Sequence, residues 1–301
     1  MKGFLAFIMF ALASYLAFAQ APAGTQGSSQ KPGTDNGASQ ATGAAQGAQT
    51  PPQPTGRHVP VAKTQEEYKA YQEAAAKPDA PSGEAAADEF AQKFPDSELR
   101  GALYQHVMLL YQNANNSDKV VEVGRKTLKV EPDNAIALAI VASTLSVRTR
   151  DTDLDRDERF AEAKKDAEKA IELANAGEAA PAGTPPDQAA MYKDTIVATA
   201  YSALGSIDFN NKNYSAAEQN LRKAVEPSHA QPDPVNYYQL ALTLQREGKN
   251  ADALEMTGRC VDVAKDNPAV ANVCKNLQTY LQKLVNNPPA QTAPATTPPR
   301  K

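Results

Sequence analysis

Hydrophobic and polar positions divide the chain into four stretches. A largely apolar run covers Gly3 to Phe18, and bulky apolar side chains are then sparse in residues 20–60. From about Val61 to Val285, apolar residues recur three or four positions apart, with helix-breaking residues at intervals of about 35. Residues 286–301 are rich in proline, which helix interiors exclude. The pattern predicts one all-helical domain at 61–285, built from short helices that repeat in pairs.

The clearest repeat unit is the segment 200–225, AYSALGSIDFNNKNYSAAEQNLRKAV. Gly205 and Ala217 are small where two antiparallel helices would cross most closely, and a larger side chain at either position would force the helices apart. The polar residues 210–213 are typical of the turn between them. The wider spaces between the helices are filled by Tyr201, Leu204 and Leu221.

This unit resembles the tetratricopeptide repeat, a 34-residue helix–turn–helix with an aromatic residue, Leu-Gly, Ala and Pro at set positions. The frame recurs downstream, where Tyr237 follows Tyr201 by 36 residues. The unit that begins at Tyr104 matches less well, because Met108 and Gly124 depart from the pattern.

Two further units complete the predicted array. One opens at Leu138 and carries a lengthened turn at 148–157 and an insertion at 176–187; the other is a degenerate helical pair at 68–76 and 84–94. The sequence Phe94-Pro95-Asp96-Ser97 resembles repeat boundaries of bacterial envelope proteins with this fold. The resemblance implies a right-handed α-solenoid of helix-turn-helix repeats flanked by disordered arms.

A capping helix is expected at 269–285, since a repeat array needs a terminal helix with one polar face. Its predicted apolar face consists of Val270, Val273, Leu277, Tyr280, Leu281 and Leu284.

Residues 1–19 predict a cleaved signal peptide. Lys2 precedes the apolar run, and Ala17-Phe18-Ala19 offers a small–x–small cleavage site. The run is shorter than the ~20 residues that span a bilayer, so no transmembrane span is expected after cleavage. A retained signal anchor is the alternative. These features predict export to the periplasm or the extracellular side of a cell envelope.

The segments that flank the helical domain are predicted to be disordered. Residues 20–60 form an Ala/Gly/Gln/Pro-rich linker in which only Lys31 and Asp35 are charged before Gly56, and 286–301 is a Pro-rich tail. Both are interpreted as solvated tethers.

Composition and charge narrow the function classes. Alanine is abundant and β-branched residues are sparse, which disfavours an all-β domain or a parallel-sheet enzyme. With 31 basic and 35 acidic residues, the chain has no positive excess to neutralise a phosphate backbone, so a nucleic-acid partner is not expected.

The chain contains two cysteines, Cys260 and Cys274. In an oxidising compartment they are candidates for a disulfide that joins the last repeat to the cap. Two buried thiols acting as small apolar side chains are the alternative.

No catalytic motif is present in the sequence, and we expect neither an enzyme nor a cofactor or metal. Four aspartates at 151–157 with Glu162 partly follow the ligand spacing of a calcium loop. Arg156 stands where that loop needs glycine, so the acidic residues are better explained as stabilising a helix start near Asp157.

The resemblance further implies that the first helices of successive repeats line a concave groove that holds an extended peptide or a helix. The basic clamp of chaperone-binding members is missing, because Gln105, Ala139, Ser202 and Tyr238 stand where its first lysine would be. The candidate partner-binding residues in this frame are Gln105, Leu109, Gln112, Ser143, Ser202, Ser206, Phe209, Tyr238, Leu242 and Gln245.

Together these features predict an exported, non-catalytic scaffold that binds a protein or peptide in a bacterial envelope. A self-associating or cell-wall-associated structural protein is the second hypothesis, and an enzyme with residues scattered on the solenoid is the third.

Overall fold

A computed structural model describes residues 56–227 and 229–287. The predicted signal peptide, most of the predicted linker and nearly all of the Pro-rich tail lie outside these residues. The described residues form eleven α-helices and no strand. The helices are α1 (Gln65–Ala75), α2 (Ala80–Lys93), α3 (Leu99–Asn113), α4 (Ser117–Val130), α5 (Ala135–Arg148), α6 (Arg156–Asn175), α7 (Pro186–Asn210), α8 (Tyr214–Val225), α9 (Pro234–Arg246), α10 (Asn250–Val263) and α11 (Pro268–Asn286).

Consecutive helices pack against each other along the whole series, and five pairs, α1–α2 to α9–α10, correspond to the predicted repeat units. The fold is therefore the helical repeat solenoid that the sequence predicts. The degenerate first pair is present as α1 and α2, and α11 follows the last pair as the terminal helix.

Side-chain caps fix where several helices begin. An oxygen of the residue before the helix accepts a first-turn backbone N–H, which satisfies a donor that has no partner within the helix. These capping residues are Thr64, Asp79, Asn116, Asn134, Asp233 and Asn267. The turns of the α3–α4 and α7–α8 pairs each contain one residue in the left-handed conformation, Asn115 (φ 56°) and Lys212 (φ 62°) respectively. This conformation ends the first helix and reverses the chain.

Helix α7 is longer than the repeat frame predicts. Its first three turns, residues 186–197, were expected to belong partly to an insertion, but they extend the helix and bury Tyr192 and Ile196. The extended helix packs on both α5 and α6. Small residues of α5, including Ala135, Ala139 and Ala142, permit this close approach on several sides.

The cap α11 buries Val270, Ala271, Cys274 and Leu281. Tyr280, which was assigned to the apolar face, is 50% exposed and corrects that part of the prediction. Cys274 and Leu281 are the fully buried side chains of this helix.

The packed structure begins before the expected boundary at Val61. Residues 56–63, the N-terminal strap, run along three of the turns that connect successive pairs. Arg57 exchanges backbone hydrogen bonds of 2.8 Å with Ala180 and Ala182 in the α6–α7 loop. Farther along the strap, His58 Nε2 lies 3.0 Å from a carboxylate oxygen of Glu98 in the α2–α3 turn. Residues 56–60 therefore belong to the folded domain.

Candidate partner-binding groove

A cleft of about 1280 Å³ crosses the middle of the array. Its walls are contributed mainly by α5, α7 and α9, with Gln112 near the end of α3 on one side and Val270 and Val273 in the first turns of α11 on the other. We call this cleft the central groove. First helices of successive pairs supply most of its surface, as the repeat frame implies.

Several candidate partner-binding residues come together in the central groove. They belong to four different helices, so only the folded array unites them. These residues are Gln112, Ser143, Ser202, Ser206, Phe209, Tyr238 and Leu242.

Three other candidates do not line the groove. Gln105 is fully buried, and its side-chain oxygen accepts a 2.7 Å hydrogen bond from Asn134 Nδ2, the residue that caps α5. Leu109 packs against the main hydrophobic core, and Gln245 lies beyond the last lining residue of α9. The groove is therefore centred on α5 to α9, and the outer repeats contribute little to it.

The sequence frame also missed part of the lining. Met191, Tyr192 and Thr195 come from the extension of α7, and Pro232 and Asp233 come from the loop before α9. Neither segment belongs to the repeat pattern, so position within a repeat could not reveal them. The spacing of Ala189, Tyr192 and Ile196 was the available signal, because it continues the apolar face of α7 toward its N-terminus.

The central groove is almost free of charge. Among its described lining residues, only Arg148 and Asp233 carry ionisable charged side chains. Burial raises the pKa of Asp233, and its carboxylate accepts a 2.8 Å hydrogen bond from the Val235 N–H, which opposes that shift. The remaining polar lining consists mainly of Ser, Thr, Asn and Gln, so the surface offers hydrogen bonds and aromatic contact and little charge attraction.

Aromatic residues occupy fixed positions at this surface. Phe209, at the end of α7, meets Tyr214 of α8 edge to face with ring centroids 5.5 Å apart. Tyr238 is half-buried and packs against the cluster formed by α10 and α11. Because neighbouring residues already hold both rings, these two side chains would lose little conformational entropy when a partner binds.

Cys260 and Cys274 are joined in a disulfide with Cα atoms 5.9 Å apart. The bond ties α10 to α11, the helix whose first turns border the central groove. Both residues are fully buried.

The acidic loop before α6 makes several ion pairs with neighbouring arginines. Arg156 contacts Asp151 and Asp157, and Arg159 contacts Asp155 at 2.7 Å. Asp155 precedes the helix, but its side chain makes no capping hydrogen bond there. No group of three or more His, Cys, Asp or Glu residues able to hold a metal ion exists in the part of the chain that the structure describes.

Residues 198–226, which cover the second half of α7 and all of α8, match the family model of the tetratricopeptide repeat. This segment is therefore similar to a tetratricopeptide repeat. The match falls on the unit whose Gly205 and Ala217 pattern predicted it, and that prediction is confirmed. No curated protein matches the chain.

Tetratricopeptide repeats assemble scaffolds for protein–protein interaction, and this one forms the central wall of the groove. Helices in 56–227 and 229–287 are all too short or too polar to cross a membrane.

Proposed function

We propose that the protein is an exported, non-catalytic scaffold that binds an extended segment of a protein partner in the central groove. The observation that carries this proposal is the nearly uncharged cleft that α5, α7 and α9 build around the matched repeat. The apolar run and small–x–small site at the N-terminus support export.

The chemistry of the groove favours a segment with small and apolar side chains. An isolated charge buried in this cleft would lose hydration without gaining an ion pair, which is costly. Ser143 and Ser202 leave room for a backbone to approach, and Phe209 and Tyr238 provide rigid surfaces for side-chain contact.

Capture from the native envelope fraction tests the proposal. The full chain serves as bait, and a double variant, Phe209→Ala with Tyr238→Ala, removes both aromatic surfaces. We expect one dominant partner that the double variant loses at least about tenfold, since paired aromatic hot spots commonly contribute 2 kcal/mol or more.

The matched control is Tyr280→Ala on α11. Tyr280 is half exposed and lies outside the groove, so this change removes an aromatic side chain without altering the proposed site. Circular dichroism must show that all variants remain folded. A partner retained equally by the double variant and the control would place binding elsewhere.

Self-association remains the competing function. Sedimentation of the purified chain separates the two, because a scaffold for other proteins is expected to sediment as a monomer. A concentration-dependent dimer would favour the structural alternative.

A further inference from the structure

The segment that precedes the strap shares the unusual charge pattern of the central groove. Residues 20–55, the N-terminal arm, contain only Lys31 and Asp35 as charged side chains, and residues 36–55 contain none. The chain as a whole carries far more charge, with 22% charged residues. An uncharged segment avoids the desolvation cost that an uncharged cleft imposes on a charged one.

The strap fixes the end of this arm close to the groove. Gly56 adopts a φ of 131° and lies against Ala182, where an added Cβ would be 2.7 Å from the Ala182 Cα. Only glycine fits this position. Ala182 lies in the loop that leads directly into α7, whose next turns carry the groove residues Met191 and Tyr192.

Arg57 ties the strap to a second connecting turn of the array. Its guanidinium is buried and pairs with Glu131 at 3.1 Å, across the α4–α5 turn. Burial lowers the pKa of Arg57, whereas Glu131 and Tyr192 act in the opposite direction. Tyr192 therefore interacts with Arg57 and also lines the central groove.

The arm is long enough to follow the groove. Residues 36–55 would extend about 66 Å at ~3.3 Å per residue. The 25-residue α7, which forms the central wall, is about 37 Å long. A segment tethered so near its site experiences an effective concentration on the order of millimolar, so even weak intrinsic affinity would keep it bound.

We infer that the N-terminal arm of the same molecule occupies the central groove and must be displaced by the protein partner. The inference rests on the groove being a peptide-binding surface, as proposed above. It adds that the unbound scaffold is self-masked and that partner binding is a competition with the arm.

Site-specific photo-crosslinking in the full chain tests this inference. Ser202, half-exposed on the groove side of α7, is replaced by benzoylphenylalanine, and intact mass establishes that residues 20–55 are retained. The matched control carries the same group at Ser215, which is exposed on α8 and outside the groove. Crosslinked peptides are mapped by mass spectrometry.

We expect the probe at position 202 to link to residues 20–55 of the same molecule, with a yield unchanged by tenfold dilution. The probe at position 215 should not give this product. Introducing charge into the arm, by Ala44→Glu with Ala48→Glu, should reduce the yield at least about fivefold, because the uncharged cleft disfavours carboxylates.

Other crosslinks would overturn the inference. Products that map only to the Pro-rich tail, or only to a second copy with a yield that falls on dilution, would identify another occupant. No product at all would mean an empty groove. If the arm does not crosslink but the partner is still lost in the Phe209/Tyr238 double variant, the inference fails while the proposed function stands.

Discussion

The α3–α4 and α7–α8 pairs solve the same packing problem in opposite ways. In α7–α8 the small residue is Gly205 on the first helix, and a Cβ there would lie 2.6 Å from Leu221 Cγ on the second helix. In α3–α4 the small residue is Gly124 on the second helix, where an added Cβ would collide with Val141 Cγ2 on α5 and lie 3.2 Å from Met108 Sδ on α3. The large and small partners have exchanged helices.

The exchange explains why one pair matches the repeat pattern and the other does not. Met108 occupies the frame position of Gly205, and Gly124 occupies the frame position of Leu221. The pattern treats these as two separate departures. In the folded pair they compensate, since cores tolerate substitutions that preserve total volume. A repeat consensus therefore describes one solution to close helix crossing among others.

Other contacts are shared between the two pairs. Lys126 lies over the Tyr104 ring at 5.6 Å, and Lys223, at the equivalent position, lies over Tyr201 at 5.0 Å. The frame is therefore the same in both pairs even where the crossing residues differ.

The largest expected effect comes from reversing the exchange in α7–α8. Gly205→Met alone should lower the free energy of unfolding by about 3 kcal/mol through overpacking, and Leu221→Gly alone by about 4 kcal/mol through a cavity and a flexible helix position. The double variant, which copies α3–α4, should be more stable than the sum of the single effects by at least about 1 kcal/mol. Denaturant unfolding of all four chains measures this coupling. Strict additivity would show that the two residues do not compensate.

The disulfide at the C-terminal end should give the next largest effect. Closing the short loop between Cys260 and Cys274 contributes about 3 kcal/mol when it constrains the unfolded chain. Reductant should therefore lower the midpoint of unfolding, with the largest loss of protection from hydrogen exchange in α10 and α11. Freshly isolated protein that takes up two thiol-alkylating groups without reductant would mean that the pair is not bonded in the native chain.

A buried carboxylate distinguishes the surroundings of α3–α4. Glu84 of α2 accepts hydrogen bonds from the Tyr111 hydroxyl (2.7 Å), from Lys126 Nζ (2.9 Å) and from Lys119 Nζ (3.2 Å). Burial alone would raise the pKa of Glu84, but these donors outweigh it and lower the pKa to about 2. At the frame position of Tyr111, the other pair has Asp208, which accepts from Asn220 at 2.8 Å.

Glu84→Gln should lower the free energy of unfolding by about 2 kcal/mol at pH 7, because the donors lose their charged acceptor. The folded-state pKa lies below the unfolded value near 4.5, so this stabilisation is present above about pH 4.5 and is lost as the pH falls toward 2. The variant should therefore lose less stability than the parent over that window. Glu89→Gln, at an exposed position of α2, is the control and should follow the parent.

The smallest effect is expected at Asp166 in α6, the helix between the two compared pairs, and it has the opposite sign. Burial, followed by the charge of Glu162, raises the pKa of Asp166 to about 6. Ionisation of this buried carboxyl group thus opposes folding. The stability of the protein that has Asp166 protonated is therefore present near pH 4 and is lost as the pH rises through 6. Asp166→Asn should raise stability by about 1 kcal/mol at pH 7.5 and have little effect near pH 4, whereas Glu168→Gln should be neutral at both. A destabilised Asn variant at pH 7.5 would contradict this assignment.

The regular parts of the array were predictable because helix periodicity and small residues at crossings are local signals. Gly205, Ala217 and the polar turn at 210–213 identified α7 and α8 from sequence alone. The exchange of Met108 and Gly124 was not recognisable, because it requires knowing which residues of two helices meet. Tyr280 was misassigned because a terminal helix makes too few contacts to bury a wide face.

The groove was predictable only where the repeat frame places first helices side by side. Ser143, Ser202 and Tyr238 follow that rule. Gln105 occupies a groove position in the repeat frame, but its side chain is buried and hydrogen-bonded to Asn134, the residue that caps α5. Tyr192 was missed because it lies outside the repeat frame, although it continues the apolar spacing of α7. The strap was missed because its backbone pairing joins Arg57 to Ala180 and Ala182, more than a hundred residues away in the chain, and no local pattern encodes that contact.

The central claim is that the partner binds in the central groove. The most direct test measures the affinity of the partner for a variant in which the groove is obstructed but every packed side chain is kept. Ser202→Arg places a long charged side chain in the nearly uncharged central groove, and Ser215→Arg makes the same change on the exposed face of α8. The account predicts that calorimetric titration with the captured partner gives at least about tenfold weaker binding for Ser202→Arg and unchanged binding for Ser215→Arg. Equal affinity of both variants for the partner would contradict it.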